Sequence, residues 1–197
     1  MGATQEAAPF SFAPGEARMT GVDKPVIRAA VAADIPRITA IYADAVLTGT
    51  ATFELEPPSA TEMAARMKGL VEGGYPYFVA EHQGRVAGYA YAGPYRPRIG
   101  YRYTVEDSVY LAPDARGLGM GGALLAKLIA TCEAADFRQM IAVIGDSSNQ
   151  ASIRLHAAAG FAPAGNFKDV GYKFERWIDT VLMQRTLGAG ARSKPAR

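Results

Sequence analysis

Apolar residues along the chain repeat with two different periods, and the alternation between them divides the sequence into elements. Ile35, Ile38, Ile41, Tyr42 and Ala45 fall at helical spacing just after Asp34 and predict an amphipathic helix over residues 35–46. Ser59 stands three residues before Glu62, a capping-box pattern that opens a second helix to about residue 71. Leu124, Leu125, Leu128 and Ile129 mark a third over 119–134, and a fourth over 149–159 is stopped by Gly160. Between these lie runs with strand character at 26–30, 75–81, 85–92, 103–111, 139–144, 161–167 and 172–182. The His82-Gln83-Gly84 turn joins the second and third runs, and a Pro, Arg, Gly and Tyr segment at 93–102 interrupts the series. The run at 139–144 is continuously apolar, as in a sheet interior.

The predicted order is β-α-α-β-β-β-α-β-α-β-β, a single α/β domain built on a mixed sheet over residues 25–187. Residues 1–24, rich in Ala, Gly, Pro and Glu, read as a poorly ordered leader, and 188–197 as a flexible tail. No internal repeat or linker divides the unit.

Composition narrows the function classes. The chain has 197 residues, 49% of them hydrophobic and 20% charged, as in an ordinary soluble domain. Its net charge of +2 falls to −1 without the three C-terminal basic residues Arg192, Lys194 and Arg197, so no basic body points to nucleic acid. Cys132 is the only cysteine, and His82 and His156 are the only histidines, which excludes an internal disulfide and argues against a metal site. No apolar run reaches the roughly 18 residues of a membrane span. No basic and apolar leader pattern opens the chain, so the cytoplasm is the expected compartment.

The sharpest local motif is Arg116-Gly117-Leu118-Gly119-Met120-Gly121-Gly122, between a strand and a helix. Glycines let a ligand approach the backbone, and the helix's first-turn N–H groups with its dipole suit a phosphate. A bare strand-to-helix turn is the plainer reading. Gly117-x-Gly119-x-x-Gly122 fits a dinucleotide fingerprint, with Asp146 as a possible ribose acid. That fingerprint wants its first glycine tight against the strand, and here residues 112–116 intervene. Arg116-x-x-Gly119-x-Gly121 fits a pyrophosphate loop of another kind.

Other polar residues stand where chemistry is possible. Glu106 lies mid-strand among Val105, Val109 and Leu111, where burial would raise its pKa and suit it to proton abstraction. A salt-bridged strand acid is the alternative, and Asp107 is the weaker candidate base. Strict alternation puts Glu106, Ser108 and Tyr110 on one face and Asp107 with Val105, Val109 and Leu111 on the other, unless a bulge intervenes. Asn149, Ser152 and His156 share a helix face, and the imidazole is suited to take or give a proton near neutral pH. Helix capping by Asn149 and a surface histidine are the plain readings. Arg96, Arg98 and Arg102 cluster with Tyr95, Tyr101 and Tyr103, a set of guanidinium forks and aromatic walls suited to a small anionic substrate. Phe53 and Trp177 read equally as pocket wall or core, and Cys132 as an inert buried thiol.

The loop resembles that of the GNAT superfamily of N-acetyltransferases. Four further segments resemble its phosphinothricin and methionine sulfoximine N-acetyltransferase branch: Tyr91-Ala-Gly-Pro-Tyr95, Thr104-Val-Glu-Asp-Ser-Val-Tyr-Leu111, Ala142-Val-Ile-Gly145, and Asn149-x-x-Ser152-x-x-x-His156-x-x-x-Gly160-Phe161. The resemblance covers nearly all of 25–187 and implies a mostly antiparallel sheet flanked by helices. It implies acetyl-CoA as co-substrate, no metal, a small amino-acid substrate, a homodimer, and a role in resistance to herbicide-like amino acids. It places acetyl-CoA on the backbone of Val109, Tyr110 and Leu111, on the loop from Arg116 through Gly117, Leu118, Gly119, Met120 and Gly121 to Gly122, and on Asn149 and Ser152. Glu106 becomes the base and His156 a second acid or base. Phe53, Arg96, Arg98, Tyr101, Arg102 and Tyr103 become the substrate side, with Arg102 closer to the methionine sulfoximine type.

Overall fold

The computed structural model describes residues 25–196; the leader expected at 1–24 lies outside them. Seven strands and four α-helices follow the order predicted from the sequence. They are β1 (Val26–Ala29), α1 (Ile35–Thr48), α2 (Ala60–Glu72), β2 (Tyr77–His82), β3 (Arg85–Pro94), β4 (Thr104–Leu111), α3 (Met120–Ala134), β5 (Gln139–Gly145), α4 (Gln150–Ala158), β6 (Ala162–Lys173) and β7 (Arg176–Thr186). The strands form one sheet in the order β1-β2-β3-β4-β5-β7-β6. Every neighbouring pair is antiparallel except β4 and β5, which run parallel.

Each helix forms for a local reason and is kept by burial. Ser59 Oγ accepts from Glu62 N at 3.2 Å, closing the first turn of α2. α1 turns Ile35, Ile38, Ile41, Tyr42 and Val46 inward. α3 buries Leu124, Leu125 and Leu128 completely, each worth about 1.5–3 kcal/mol of removed apolar surface.

The two helix pairs cover opposite faces. Tyr42 of α1 meets Tyr110 of β4 edge-on at 5.0 Å, and Tyr110 continues a stack with Tyr89 at 5.3 Å across β3. The Glu106, Ser108 and Tyr110 face is therefore the α1 face. Leu111 meets α3 at Gly121, and Asp107 meets α4 at His156, so α3 and α4 lie on the other face.

The final hairpin departs from the expected boundaries of 161–167 and 172–182. Residues 168–171, left outside both expected strands, instead belong to β6 as a bulge, where the register shifts between Phe167 and Gly171. The reversal comes at Phe174 and Glu175, both at positive φ (50° and 58°). Neither residue carries a turn signal, so pairing of the long strands sets the turn. After β7, Arg138 donates to the carbonyls of Gly190 and Lys194 and to Ser193 Oγ, tying the segment read as a tail back to the domain.

Candidate active site

The site arises where the one parallel pair comes apart. β4 and β5 pair only from Thr104↔Gln139 to Asp107↔Ala142. Beyond Asp107 the strands splay, while β4 stays paired to β3 as far as Leu111↔Gly88 with no bulge. One edge of Val109, Tyr110 and Leu111 is thus left without a neighbouring strand.

Three hollows meet at this splay. On one side is a cleft of about 580 Å³, lined by Val109, Tyr110 and Leu111, by Arg116, Gly117, Gly119, Gly121 and Gly122, and by Asn149 and Ser152. A hollow of about 50 Å³ at the head of the splay is lined by Asp107, Ser108, Val109, Asn149, Ser152 and His156. A chamber of about 250 Å³ opens on the α1 face, lined by Tyr95, Arg96, Glu106, Val143, Phe167, Thr180 and Leu182. The small hollow shares Val109, Asn149 and Ser152 with the cleft and Val143 with the chamber, so it links the two faces of the sheet.

The glycine loop is shaped by backbone conformation. Gly117 and Gly119 sit at φ 79° and 78°, which L side chains rarely adopt, and Gly119 is the N-cap of α3. Leu118 projects into solvent and Met120 is buried in the core, and neither lines the cleft, unlike the sequence expectation. Arg116 pairs with Asp44 of α1 at 3.3 Å on the rim. Asp146, the acid a dinucleotide reading would need, is taken by Ser148 and Arg176. Donors at a helix N-terminus, a free strand edge and a fixed cation are the parts that hold a pyrophosphate with an amide-bearing arm.

Glu106 and His156 lie on opposite faces. Burial, then the charge of Asp107, pushes the Glu106 carboxyl up to about 6, against the opposing pull of Arg96. His156 is buried, not a surface residue. Its Nδ1 lies 2.8 Å from the Ser152 carbonyl oxygen and its Nε2 2.9 Å from Asp107 Oδ2. Burial alone would lower its pKa; the Asp107 carboxylate and the Ser152 carbonyl outweigh that and raise it. The Ser152 hydroxyl also lies 3.3 Å from Nδ1, so both ring nitrogens are engaged by protein groups. Asn149 Oδ1 accepts from Ser152 N at 3.2 Å, so the asparagine caps α4 and also borders the cleft.

The arginine and tyrosine cluster is divided. Tyr95 and Arg96 join Glu106 in the chamber, with the Arg96 guanidinium 5.0 Å from the Tyr95 ring centroid. Arg102 instead stacks on Tyr103 at 4.5 Å and donates to the Ile99 carbonyl. Tyr101 meets Tyr95 edge-on at 5.7 Å. Arg98, Tyr101, Arg102 and Tyr103 do not line the chamber. The surrounding backbone turns through Ile99–Tyr101 and carries them outward.

Phe53 is neither core nor chamber lining; its ring lies over Gly145 and Gly171. Trp177 is 62% exposed and edge-on to Tyr172, so it is not core. Cys132 is buried, and desolvation pushes its thiol up to about 12. Among the described residues, no three His, Cys, Asp or Glu side chains gather as a metal would require, and no helix is long and apolar enough to cross a membrane.

Sequence reasoning missed Lys173 and weighed Asp107 only as a weaker base, not as the partner of His156. Lys173 is buried and donates to the Thr52 carbonyl at 2.9 Å, fastening the α1–α2 loop across the head of the cleft. Asp107 was legible as an acid on an apolar strand face, a position that demands a partner.

The model of the "Acetyltransferase (GNAT) domain" matches residues 27–182. The chain is 60% identical over 162 residues to the phosphinothricin N-acetyltransferase of Alcaligenes faecalis, covering 82% of each chain. It is 44% identical to the L-methionine sulfoximine/L-methionine sulfone acetyltransferase of Pseudomonas paraeruginosa, covering 82% of this chain and 94% of that one. A crystal structure of a GNAT superfamily phosphinothricin acetyltransferase from Sinorhizobium meliloti, in complex with AcCoA, superposes with a TM-score of 0.86 at 50% identity, covering 89% of this chain and 95% of that one. The splayed β4 and β5, the glycine loop and these similarities lead to one conclusion: the chain belongs to the GNAT family of N-acetyltransferases.

Proposed function

We propose that this protein moves an acetyl group from acetyl-CoA to the α-amino group of a small amino acid of the phosphinothricin or methionine sulfoximine kind. The observation that carries this reading is the placement of Glu106 in a chamber of about 250 Å³ beside Arg96, across the splay from the glycine-loop cleft. The names of the relatives support the same acceptor class.

Acetyl-CoA, when bound, supplies the acyl group as a thioester. The residues present fit it: the Gly117–Gly122 main chain and Arg116 hold its phosphates, and the free edge of Val109, Tyr110 and Leu111 holds its amide-bearing arm. The N–H groups of that edge stabilise the oxyanion that develops during transfer. Glu106, titrating at about 6, is ionised at neutral pH and basic enough to take a proton from the substrate ammonium. Arg96 binds the substrate carboxylate or phosphinate. Attack is direct, because Cys132 is buried and its thiol stays protonated.

The working form is a homodimer, supported by the exposed Phe167, Val170, Tyr172, Phe174 and Trp177 on the edge hairpin β6–β7. A cytoplasmic location fits the free thiol of Cys132.

A thiol-release assay with acetyl-CoA tests the reading. Its acceptor panel holds phosphinothricin, methionine sulfoximine, methionine sulfone, ordinary amino acids, spermidine and a peptide N-terminus. Turnover confined to the first three is expected; turnover only with spermidine or the peptide overturns the acceptor.

A further inference from the structure

A carboxylate on an apolar sheet face persists only when paired and hydrogen-bonded. Asp107 is such a group: its side chain is 1% exposed, and that of His156 is 5% exposed. Oδ2 of Asp107 meets His156 Nε2, and the Ser152 carbonyl meets Nδ1. At Nδ1 the Ser152 carbonyl, at 2.8 Å, lies nearer than the Ser152 hydroxyl, at 3.3 Å; with Nδ1 donating to that carbonyl and Nε2 to Asp107, the ring is an imidazolium. A neutral ring protonated on Nε2 would give up the 2.8 Å contact to the carbonyl for the longer one to the Ser152 hydroxyl.

On the same face, Arg185 of β7 donates to the Ala159 carbonyl at the end of α4 and pairs with Glu133 of α3 at 3.6 Å, so these two charges answer each other. From α3, Cys132 faces Asp107 as a neutral thiol. After α4, Phe161 meets the imidazole edge-on at 5.1 Å. Glu106 is next along β4 but points to the opposite face and feels the charge of Asp107. Oδ1 of Asp107 is buried without a hydrogen-bond partner among the described residues, and Asp107 borders the small hollow that joins cleft to chamber.

We infer that Asp107 is a positioning residue of the transfer site, holding His156 as a doubly donating imidazolium against the hollow through which the two halves of the site meet. The inference rests on the acetyltransferase reading of that site. His156 then serves as a fixed cation and as the tie between α4 and β4, not as a second base. The same carboxylate favours the protonated form of Glu106 from behind the strand, so one buried charge acts on groups on both faces of the sheet.

The test uses Asp107→Asn, which keeps an oxygen to accept Nε2–H and removes the charge. The chain has two histidines, so a His82→Gln background leaves one imidazole to follow by nitrogen NMR. In that background His156 is expected to titrate above the ordinary imidazole value of about 6.5. Asp107→Asn is expected to lower its midpoint by about one pH unit. In the thiol-release assay, both limbs of the kcat/KM profile are expected to move to lower pH together, because Glu106 and His156 each lose the charge that favours their protonated forms. A merely structural contact would lower activity without moving the limbs. A His156 midpoint at or below the ordinary value overturns the inference, and that measurement needs no variant of Asp107. So does a profile that Asp107→Asn leaves in place. If the imidazole behaves as expected but no acceptor in the panel releases thiol, the pairing stands and the proposed acceptor falls.

Discussion

Gly171 leaves the space that the ring of Phe53 fills: a Cβ at Gly171 would lie 2.5 Å from Phe53 Cε2 and 2.8 Å from Cζ. The glycine sits in the bulge of β6, 118 positions after Phe53 in the chain. The α1–α2 loop rests on the hairpin through this contact. Beside it the Cε1 edge of the same ring lies 3.2 Å from where a Cβ at Gly145 would stand.

Gly171→Ala displaces the Phe53 ring. Overpacking of this kind costs about 1–3 kcal/mol, readable by urea unfolding. Because Phe53 does not line the chamber, KM for the amino acid is expected to hold. A several-fold rise in KM would return Phe53 to the substrate side.

Glu106→Gln removes the proposed base and keeps its shape. Turnover at neutral pH is expected to fall by about 10²–10⁴-fold, the usual contribution of a positioned base, with acetyl-CoA binding retained by calorimetry. In the parent protein the acid limb of kcat/KM should lie near pH 6, where the carboxylate becomes protonated.

His156 makes stability depend on pH in a defined direction. Its pKa is raised in the folded state, so the folded protein holds the proton more tightly than the unfolded chain. The resulting stabilisation is fully present below the unfolded imidazole value of about 6.5. It is lost as pH rises through the folded value. Urea midpoints measured from pH 5 to pH 9 should decline across that window, and His156→Gln should remove this part of the decline. A rise across the same window would refute the pairing.

Lys173→Met keeps the stem and removes the donor from the Thr52 carbonyl. A buried acceptor left without its donor costs about 1–3 kcal/mol, and the melting temperature should drop accordingly. Thr50 and Ala51 in the same loop line the cleft, so acetyl-CoA affinity should weaken as well. Wild-type affinity in this variant would show that the loop is held without Lys173.

Local signals carried most of the fold. Ile35, Ile38 and Ile41 at helical spacing, Ser59 before Glu62, and the glycines of 116–122 each specify a backbone state within a few residues, and the fold follows all three. Glu106 was legible for the same reason, since strand alternation fixes the face of a side chain once its neighbours are apolar. Where local signals competed with pairing, pairing won, and residues 168–171, outside both expected strands, became a bulge of β6.

The sequence by itself determined which elements form, which side of each is apolar, and where a backbone loop can meet a phosphate. The tertiary structure decided which sides meet. Asp107 and His156 are 49 positions apart, and Thr52 and Lys173 are 121 apart. Neither pairing has a periodic signature. Both follow from the strand order and from the point at which β4 and β5 part after Asp107↔Ala142. A period reports the direction of a side chain relative to its own backbone, and only packing of the whole sheet sets what lies in that direction.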